Sequence, residues 1–311
     1  MSVLNILAGM NLFLMQDSEL NMARVVLVGY GQMLYSLIKG IKASNHEIVG
    51  VFRSDRRKFN RFCLFFKDIF NPSEDFVIIK SEKLKEIKAR SVNEKKFIKT
   101  IKKLKPDILI VGSWGEKLGR EILDTVYCVN FHPALLPHNR GANPYFWVIY
   151  LNQKVTGLTV HEMSEKFDEG DILLQEAIPI GENENGKTLK SKTCKLAEGL
   201  VKDLLDLLDK KQLQPIKQDE KFASYEHQIT HKEVIIDLNK SKEDVARHLR
   251  ALYPWASPYV EIKNRYIKFD KYEILPEDEK YKKLKNHSIA EKNSDFVVLK
   301  GSDFLLKIYR S

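Results

Sequence analysis

Residues 24–52, RVVLVGYGQMLYSLIKGIKASNHEIVGVF, decide the fold. RVVLV (24–28) is a short apolar run ending in Gly29-Tyr30-Gly31; a helical stretch follows to about Ala43, then a second run, EIVGVF (47–52). Buried strands alternating with helical segments imply a parallel sheet with crossover helices. Outward along the chain the pattern repeats: a charged helix over 81–104 stops before Pro106, DILIVG (107–112) reads as a strand, 117–123 as a helix and VYCVNF (126–131) as a strand. The expected fold class is α/β, a doubly wound domain.

After Asn143 the texture changes. TGLTVHEM (156–163) and ILLQEAIPI (172–180) read as strands joined by a carboxylate-bearing loop, and 187–210 as an amphipathic helix with Leu196, Leu200, Leu204, Leu207 and Leu208 on its apolar stripe. The polar stretch KKQLQPIKQDEK reads as a linker. Beyond it, β-rich runs (VIIDL, YVEIK, YIKFDKYEIL, DFVVLK, FLLKIY) and one helical piece, 241–252, suit a small barrel or sandwich. The expected boundaries are an extension over 1–22, a first domain over 23–210, a linker over 211–222 and a smaller β-rich (OB-like) domain over 223–311.

With 311 residues, 43% hydrophobic and 30% charged, the chain has the composition of one large or two moderate globular domains, which excludes a mainly disordered protein. Cys63, Cys128 and Cys194 are too few and too scattered for a disulfide framework or a thiolate zinc site. A cytoplasmic location is expected. The first 22 residues lack a basic n-region, and Asp17 and Glu19 interrupt them, so neither a signal peptide nor a membrane span is expected. The net charge of +9 is uneven: Arg53–Arg61 holds five basic residues against one acid, and Lys80–Lys105 eleven against three. These two segments together exceed the charge of the whole chain. They read either as a surface for a phosphate-bearing partner or as a lysine-rich solvated face.

VVLVGYGQ also invites a dinucleotide-binding reading, with Asp55 as the ribose acid of a nicotinamide-dependent dehydrogenase. The third glycine is missing, because Gln32, Met33 and Leu34 follow Gly31. A tight turn that needs glycine accounts for the pair as well.

The most informative stretch is 126–173, VYCVNFHPALLPHNRGANPYFWVIYLNQKVTGLTVHEMSEKFDEGDIL. Asn130 and His132, two apart at a strand end, share one face, and strand ends of α/β sheets border ligand crevices. Pro133 and Pro137 stiffen the loop that follows. An amide donor beside an imidazole on a rigid rim suits a carbonyl oxygen that becomes an oxyanion. Asp168 lies in the later loop with Gly170 and Asp171; brought against His132, it would orient the ring and raise its pKa. Singly, the three also read as a strand-end cap, a rim histidine and a turn residue. A metal held by His132, His138 and His161 has no local ligand spacing behind it, and none is expected.

NFHPALLPxxRGANP, then TGLTVH and FDEGDIL, closely resembles the signature of the 10-formyltetrahydrofolate-dependent formyltransferases over roughly 24–210. IDLNKSKEDVARHLRALYPWASPYVEI (235–262) resembles the start of the C-terminal domain shared by methionyl-tRNA formyltransferase and the formyltransferases of amino-sugar nucleotides. The resemblance implies a Rossmann-like domain without a bound dinucleotide. It implies Asn130, His132 and Asp168 as the catalytic amide, imidazole and carboxylate, and 10-formyltetrahydrofolate as co-substrate. It implies Ala134, Leu135, Leu136 and Pro137 as the folate-proximal loop, and Trp114, Gly115, Glu116, Lys117 and Leu118 as the loop beside the pterin.

The implied acceptor is initiator methionyl-tRNA or an amino-sugar nucleotide, with no membrane partner. Arg56, Arg57 and Lys58 stand where the tRNA enzyme inserts a basic loop, which favours tRNA, and Arg140 is a further expected substrate contact. Tyr145-Phe146-Trp147 leans toward the sugar enzymes, unless it is the buried face of a helix over 143–150. Glycinamide ribonucleotide formyltransferase normally lacks a C-terminal domain, and formyltetrahydrofolate deformylase normally has a domain before the catalytic one, so both fit less well.

Overall fold

In the computed structural model, which describes residues 22–53 and 73–309, the stretch 24–52 folds as β1 (Arg24–Gly29), α1 (Gly31–Lys42) and β2 (Glu47–Arg53). The expectations for the extension before residue 22 and for Arg56, Arg57 and Lys58 fall outside the described residues. Helices α2 (Glu74–Ser81) and α3 (Lys95–Leu104), strand β3 (Ile108–Gly112), helix α4 (Arg120–Leu123) and strand β4 (Tyr127–His132) complete the first half. There follow β5 (Arg140–Gly141), α5 (Pro144–Tyr150), β6 (Val155–Glu162), β7 (Ile172–Pro179) and the long α6 (Gly186–Asp209).

The main sheet has the order β2-β1-β3-β4-β6-β7. Its first four strands are parallel, and β6 and β7 run antiparallel. This is a Rossmann-like α/β sheet. Val25, Val26, Leu27 and Val28 are wholly buried, as strands covered on both faces must be. Each contributes about 1.5–3 kcal/mol of burial. Helices α1 and α6 cover one face, through Leu34, Leu37, Ile38, Leu200, Val201 and Leu204; α3 covers the other through Phe97, Ile98 and Ile101.

Each glycine of Gly29-Tyr30-Gly31 has a backbone reason: Gly31 takes a left-handed φ of 65°, and Gly29 packs against Gly112. The two residues face each other across β1 and β3, and a Cβ on Gly29 would sit 2.2 Å from the Gly112 carbonyl oxygen.

The single charged helix expected over 81–104 is corrected: α2 ends at Ser81, and beyond it within the expected range only α3, Lys95–Leu104, is helical. Between them the backbone is drawn to the sheet edge, where Val51 N–H donates to the Lys85 carbonyl and Ile87 N–H to the Val51 carbonyl. Helix α3 ends at Lys105, whose left-handed φ of 48° precedes Pro106. Its lysines Lys96, Lys99, Lys102 and Lys103 lie opposite the buried stripe, so this part of the basic run is a solvated face.

The C-terminal part comprises β8 (Tyr225–Glu226), β9 (Ile235–Ile236), α7 (Lys242–Leu252), β10 (Tyr259–Ile262), β11 (Arg265–Lys268), β12 (Tyr272–Pro276), β13 (Ile289–Lys292), β14 (Phe296–Lys300) and β15 (Phe304–Tyr309). Strands β12-β15-β14-β13 form an antiparallel sheet, and β11-β10-β9 a smaller one. Helix α5 joins this part to the main sheet: Tyr145, Phe146 and Trp147 share one core with Val245, Leu249 and Leu252 of α7. Among the described residues no helix is long and apolar enough to cross a membrane.

Candidate active site

Strand β4 ends at His132, and its neighbour β6 carries His161 directly opposite Asn130. Because side chains alternate along a strand, Asn130 and His132 emerge on the same face, as the sequence predicts. Asp168 arrives from the β6–β7 turn. Its φ of +58° is left-handed, a conformation Asp tolerates better than most residues. Gly170 lets this turn close against β6, since a Cβ there would lie 1.9 Å from the Glu162 carbonyl oxygen.

The side chains meet around Asp168. Its Oδ1 lies 3.3 Å from Asn130 Nδ2, 3.5 Å from His132 Nδ1 and 3.4 Å from His161 Nε2. Its Oδ2 accepts the Gly141 N–H at 2.8 Å. Asn130 Nδ2 also donates to His161 Nε2, at 3.1 Å. The His161 assignment follows from its other nitrogen, which is 2.6 Å from the Glu162 carbonyl oxygen and must carry the hydrogen. Both Asn130 amide hydrogens are therefore directed inside the cluster.

His132 is buried, and its Nε2 lies 2.8 Å from the Asn139 carbonyl oxygen. A carbonyl only accepts, so the neutral ring carries its hydrogen on Nε2 and turns an unprotonated Nδ1 toward Asp168. The expected rise in the His132 pKa is corrected. Burial lowers it below the ordinary histidine value, with His161 adding to the lowering, and together these outweigh the pull of Asp168 and the Asn139 hydrogen bond. For Asp168, burial opposes ionisation, but the hydrogen bond from the Gly141 N–H, together with the positive charge that a neighbouring imidazole carries when protonated, outweighs it and holds the carboxyl below the usual range.

Loops 113–118 and 133–137 leave the same edge, because Gly112 pairs with Phe131 across parallel β3 and β4. In the second loop Ala134 and Leu136 are buried, while Leu135 and Pro137 are half-buried beside a cis Leu136-Pro137 bond. Thr159 Oγ1 donates to the Ala134 carbonyl at 2.6 Å and accepts the Leu136 N–H at 3.2 Å. Gln175 Nε2 donates to the Leu136 carbonyl at 2.9 Å.

In the first loop Leu118 is buried and Gly115 and Lys117 are exposed. Lys117 lies over the Phe167 ring, and Trp114 packs against Phe52. Trp114 Nε1 and Glu116 Oε2 are buried without a hydrogen-bond partner among the described residues. Asn93, which sequence reasoning missed, anchors this loop by accepting the Gly119 N–H at 2.6 Å and donating to the Lys117 carbonyl at 2.8 Å.

Arg140 is a correction. It is fully buried, and its Nε donates to Gln218 at 3.0 Å while its two terminal nitrogens grip the Glu220 carboxylate at 3.0 and 2.8 Å. Its guanidinium is committed to the protein rather than presented to a substrate. His161, weighed in the sequence only as a metal ligand, and Gln218, not singled out there, both join the cluster; the signal for His161 was its position opposite Asn130 on the antiparallel neighbour. Among the described residues no group of three His, Cys, Asp or Glu side chains is placed to hold a metal.

Comparison with known proteins identifies the family and the fold. The profile of the family described as formyl transferase matches residues 22–204. A methionyl-tRNA formyltransferase of Bacillus mycoides is 28% identical over 289 residues, covering 92% of this chain and 90% of the relative. A Francisella tularensis 4-N formyltransferase has a similar fold, with a TM-score of 0.61 at 24% identity over 79% of this chain and 96% of its own. Aquifex aeolicus HypX, solved with tetrahydrofolic acid, gives a TM-score of 0.62 at 16% identity over 92% of this chain and 43% of its own.

Proposed function

This chain belongs to the formyltransferase family, and we propose that it transfers the formyl group of 10-formyltetrahydrofolate to the amino group of initiator methionyl-tRNA. The observation that carries the formyl chemistry is the meeting of Asn130, His132 and Asp168 at the end of β4, beside the two loops that leave the β3–β4 edge. The folate would lie along Trp114–Leu118 and Ala134–Pro137. Trp114 Nε1 and Glu116 Oε2, unpartnered among the described residues, offer a donor and an acceptor for its polar ring.

The acceptor amine attacks the formyl carbon; a C–N bond forms and the carbonyl π pair moves onto oxygen. The resulting oxyanion draws an Asn130 amide hydrogen away from the His161 imidazole, a weaker acceptor. The unprotonated Nδ1 of His132 takes the proton of the attacking nitrogen. The charge that appears on the ring is balanced by Asp168 at 3.5 Å. The tetrahedral intermediate collapses as the bond to the folate nitrogen breaks, and His132 returns the proton to that nitrogen.

Two observations support the tRNA acceptor. Bacterial relatives named methionyl-tRNA formyltransferase align over nine-tenths of the chain. The aromatic triplet, whose composition leaned toward a sugar, is buried between α5 and α7, with Phe146 fully covered and Trp147 6% exposed. A sugar acceptor keeps support from solved relatives, among them the sugar 3N-formyl transferase WlaRD in the presence of dTDP and 5-N-formyl-THF. It has a TM-score of 0.60 at 17% identity, over 93% of this chain and 97% of its own. Single-turnover assays with methionyl-tRNA and a panel of amino-sugar nucleotides separate the two. Formylation of a sugar alone overturns the tRNA reading. If Arg56 and Arg57 meet phosphate, replacing both with alanine flattens the salt dependence of tRNA binding.

A further inference from the structure

The polar stretch that reads as a linker runs alongside the active site. Ile216 pairs with Ile172, each N–H donating to the other's carbonyl at 2.8 Å. Two residues on, Gln218 Nε2 donates to the main-chain carbonyls of Asp168, at 2.8 Å, and Gly170, at 2.7 Å. Its Oε1 accepts from Arg140 Nε. Further along, Ser224 Oγ accepts the Asn139 N–H at 2.8 Å, and the Ser224 carbonyl accepts the Arg140 N–H at 2.9 Å. Strand β8 then pairs with β5, Arg140 against Tyr225 and Gly141 against Glu226.

These bonds reach both sides of the cluster. The 139–141 backbone held by Ser224 and β8 supplies the Asn139 carbonyl to His132 and the Gly141 N–H to Asp168. The left-handed turn at Asp168 is held by both hydrogens of the Gln218 amide. Tyr225 OH adds a bond to Glu169 at 2.7 Å. One segment outside the main sheet thus fixes the backbone behind the imidazole and behind the carboxylate at once, without a hydrogen bond to either side chain.

We propose that residues 216–226 form a strap that sets the His132–Asp168 geometry, with Gln218 and Ser224 as positioning residues for the transfer reaction. The proposal rests on the formyl-transfer reading for its kinetic consequence. A fully hydrogen-bonded amide with two carbonyl partners is a specific device: alanine removes both donors, and glutamate turns an acceptor toward two carbonyl oxygens. Displacement of a reacting group by about 1 Å costs on the order of 100-fold in rate.

The test is kinetic and spectroscopic, on the whole 311-residue chain. Gln218→Ala and Ser224→Ala are expected to lower kcat on the order of 10- to 100-fold, with the KM for 10-formyltetrahydrofolate held within about 2-fold. Gln218→Glu is expected to match or exceed the alanine loss. The double alanine variant should lose less than the product of the single losses, because both act on one geometry. NMR titration of the His132 ring reads the strap without turnover: loosening admits water, so the His132 pKa rises toward its ordinary value in each variant. A kcat within about 2-fold of the parent together with an unmoved His132 titration overturns the strap. Equal losses in kcat and in folded fraction, with an unmoved titration, assign these residues to stability alone and overturn it as well. Absence of formyl transfer by the unsubstituted protein overturns the formyl reading instead, a distinct result.

Discussion

His132 turns Nδ1 toward Asp168 Oδ1 at 3.5 Å and Nε2 toward the Asn139 carbonyl oxygen at 2.8 Å. The short contact fixes the tautomer. The longer one leaves a basic nitrogen facing a carboxylate, where a proton taken from substrate would be stabilised. Asp168→Asn keeps the shape and removes the charge. It is expected to reduce single-turnover formyl transfer by about 10²–10⁴. Asn130→Ala, which removes the oxyanion donor, is expected to cost about 10²–10³. Near-normal rates in both variants would show that the chemistry lies elsewhere.

Burial of His132 makes stability pH-dependent. Its folded pKa is depressed, so between the unfolded value, about 6.5, and the folded value the unfolded chain binds a proton that the native state refuses. The stabilisation is fully present above that range and is lost as pH falls through it. Urea unfolding should therefore show a lower free energy at pH 5.5 than at pH 8. His132→Gln should reduce this difference without abolishing it, because burial also lowers the pKa of His248.

Gly170 permits the contact between the Asp168 turn and β6. In Gly170→Ala the new methyl group meets the Glu162 carbonyl oxygen at 1.9 Å, and backbone cannot yield as a flexible side chain would. The expected cost is about 1–3 kcal/mol, read as a lower Tm, together with slower transfer as Asp168 is pushed out of place.

The thiols of Cys128 and Cys194 are both pushed up to about 12, chiefly by burial. In a Cys63→Ser background neither should react with iodoacetamide at neutral pH until the protein unfolds, because the thiolate is the nucleophile. Labelling of the native protein, read by mass spectrometry, would contradict this burial.

The α/β sheet was legible because each strand is an apolar run closed by a turn residue, as in 24–31 and 107–112. Asn130 and His132 were legible from a spacing of two on one strand, and Asp168 from the motif after it. What escaped depended on pairing between distant segments. The break between α2 and α3 follows from Ile87 bonding to Val51 at the sheet edge, against a local sequence rich in helix formers. Arg140 carries a charge that composition assigns to a substrate, yet Glu220 and Gln218 neutralise and bury it from 80 and 78 residues away. Residues 216–222, within the stretch 211–222 that reads as a linker, look like one because polar side chains such as Gln218 serve neighbouring backbone rather than a core. The direction of the His132 pKa shift turned on burial, which the motif does not disclose.

The most direct measurement follows the labelled formyl carbon of 10-formyltetrahydrofolate in a single turnover with methionyl-tRNA, an amino-sugar nucleotide and water competing for it. The account predicts that the label appears on the methionyl amino group, and that Asp168→Asn slows its appearance. Label recovered on the sugar, or released as formate while the methionyl amine stays unmodified, would contradict it.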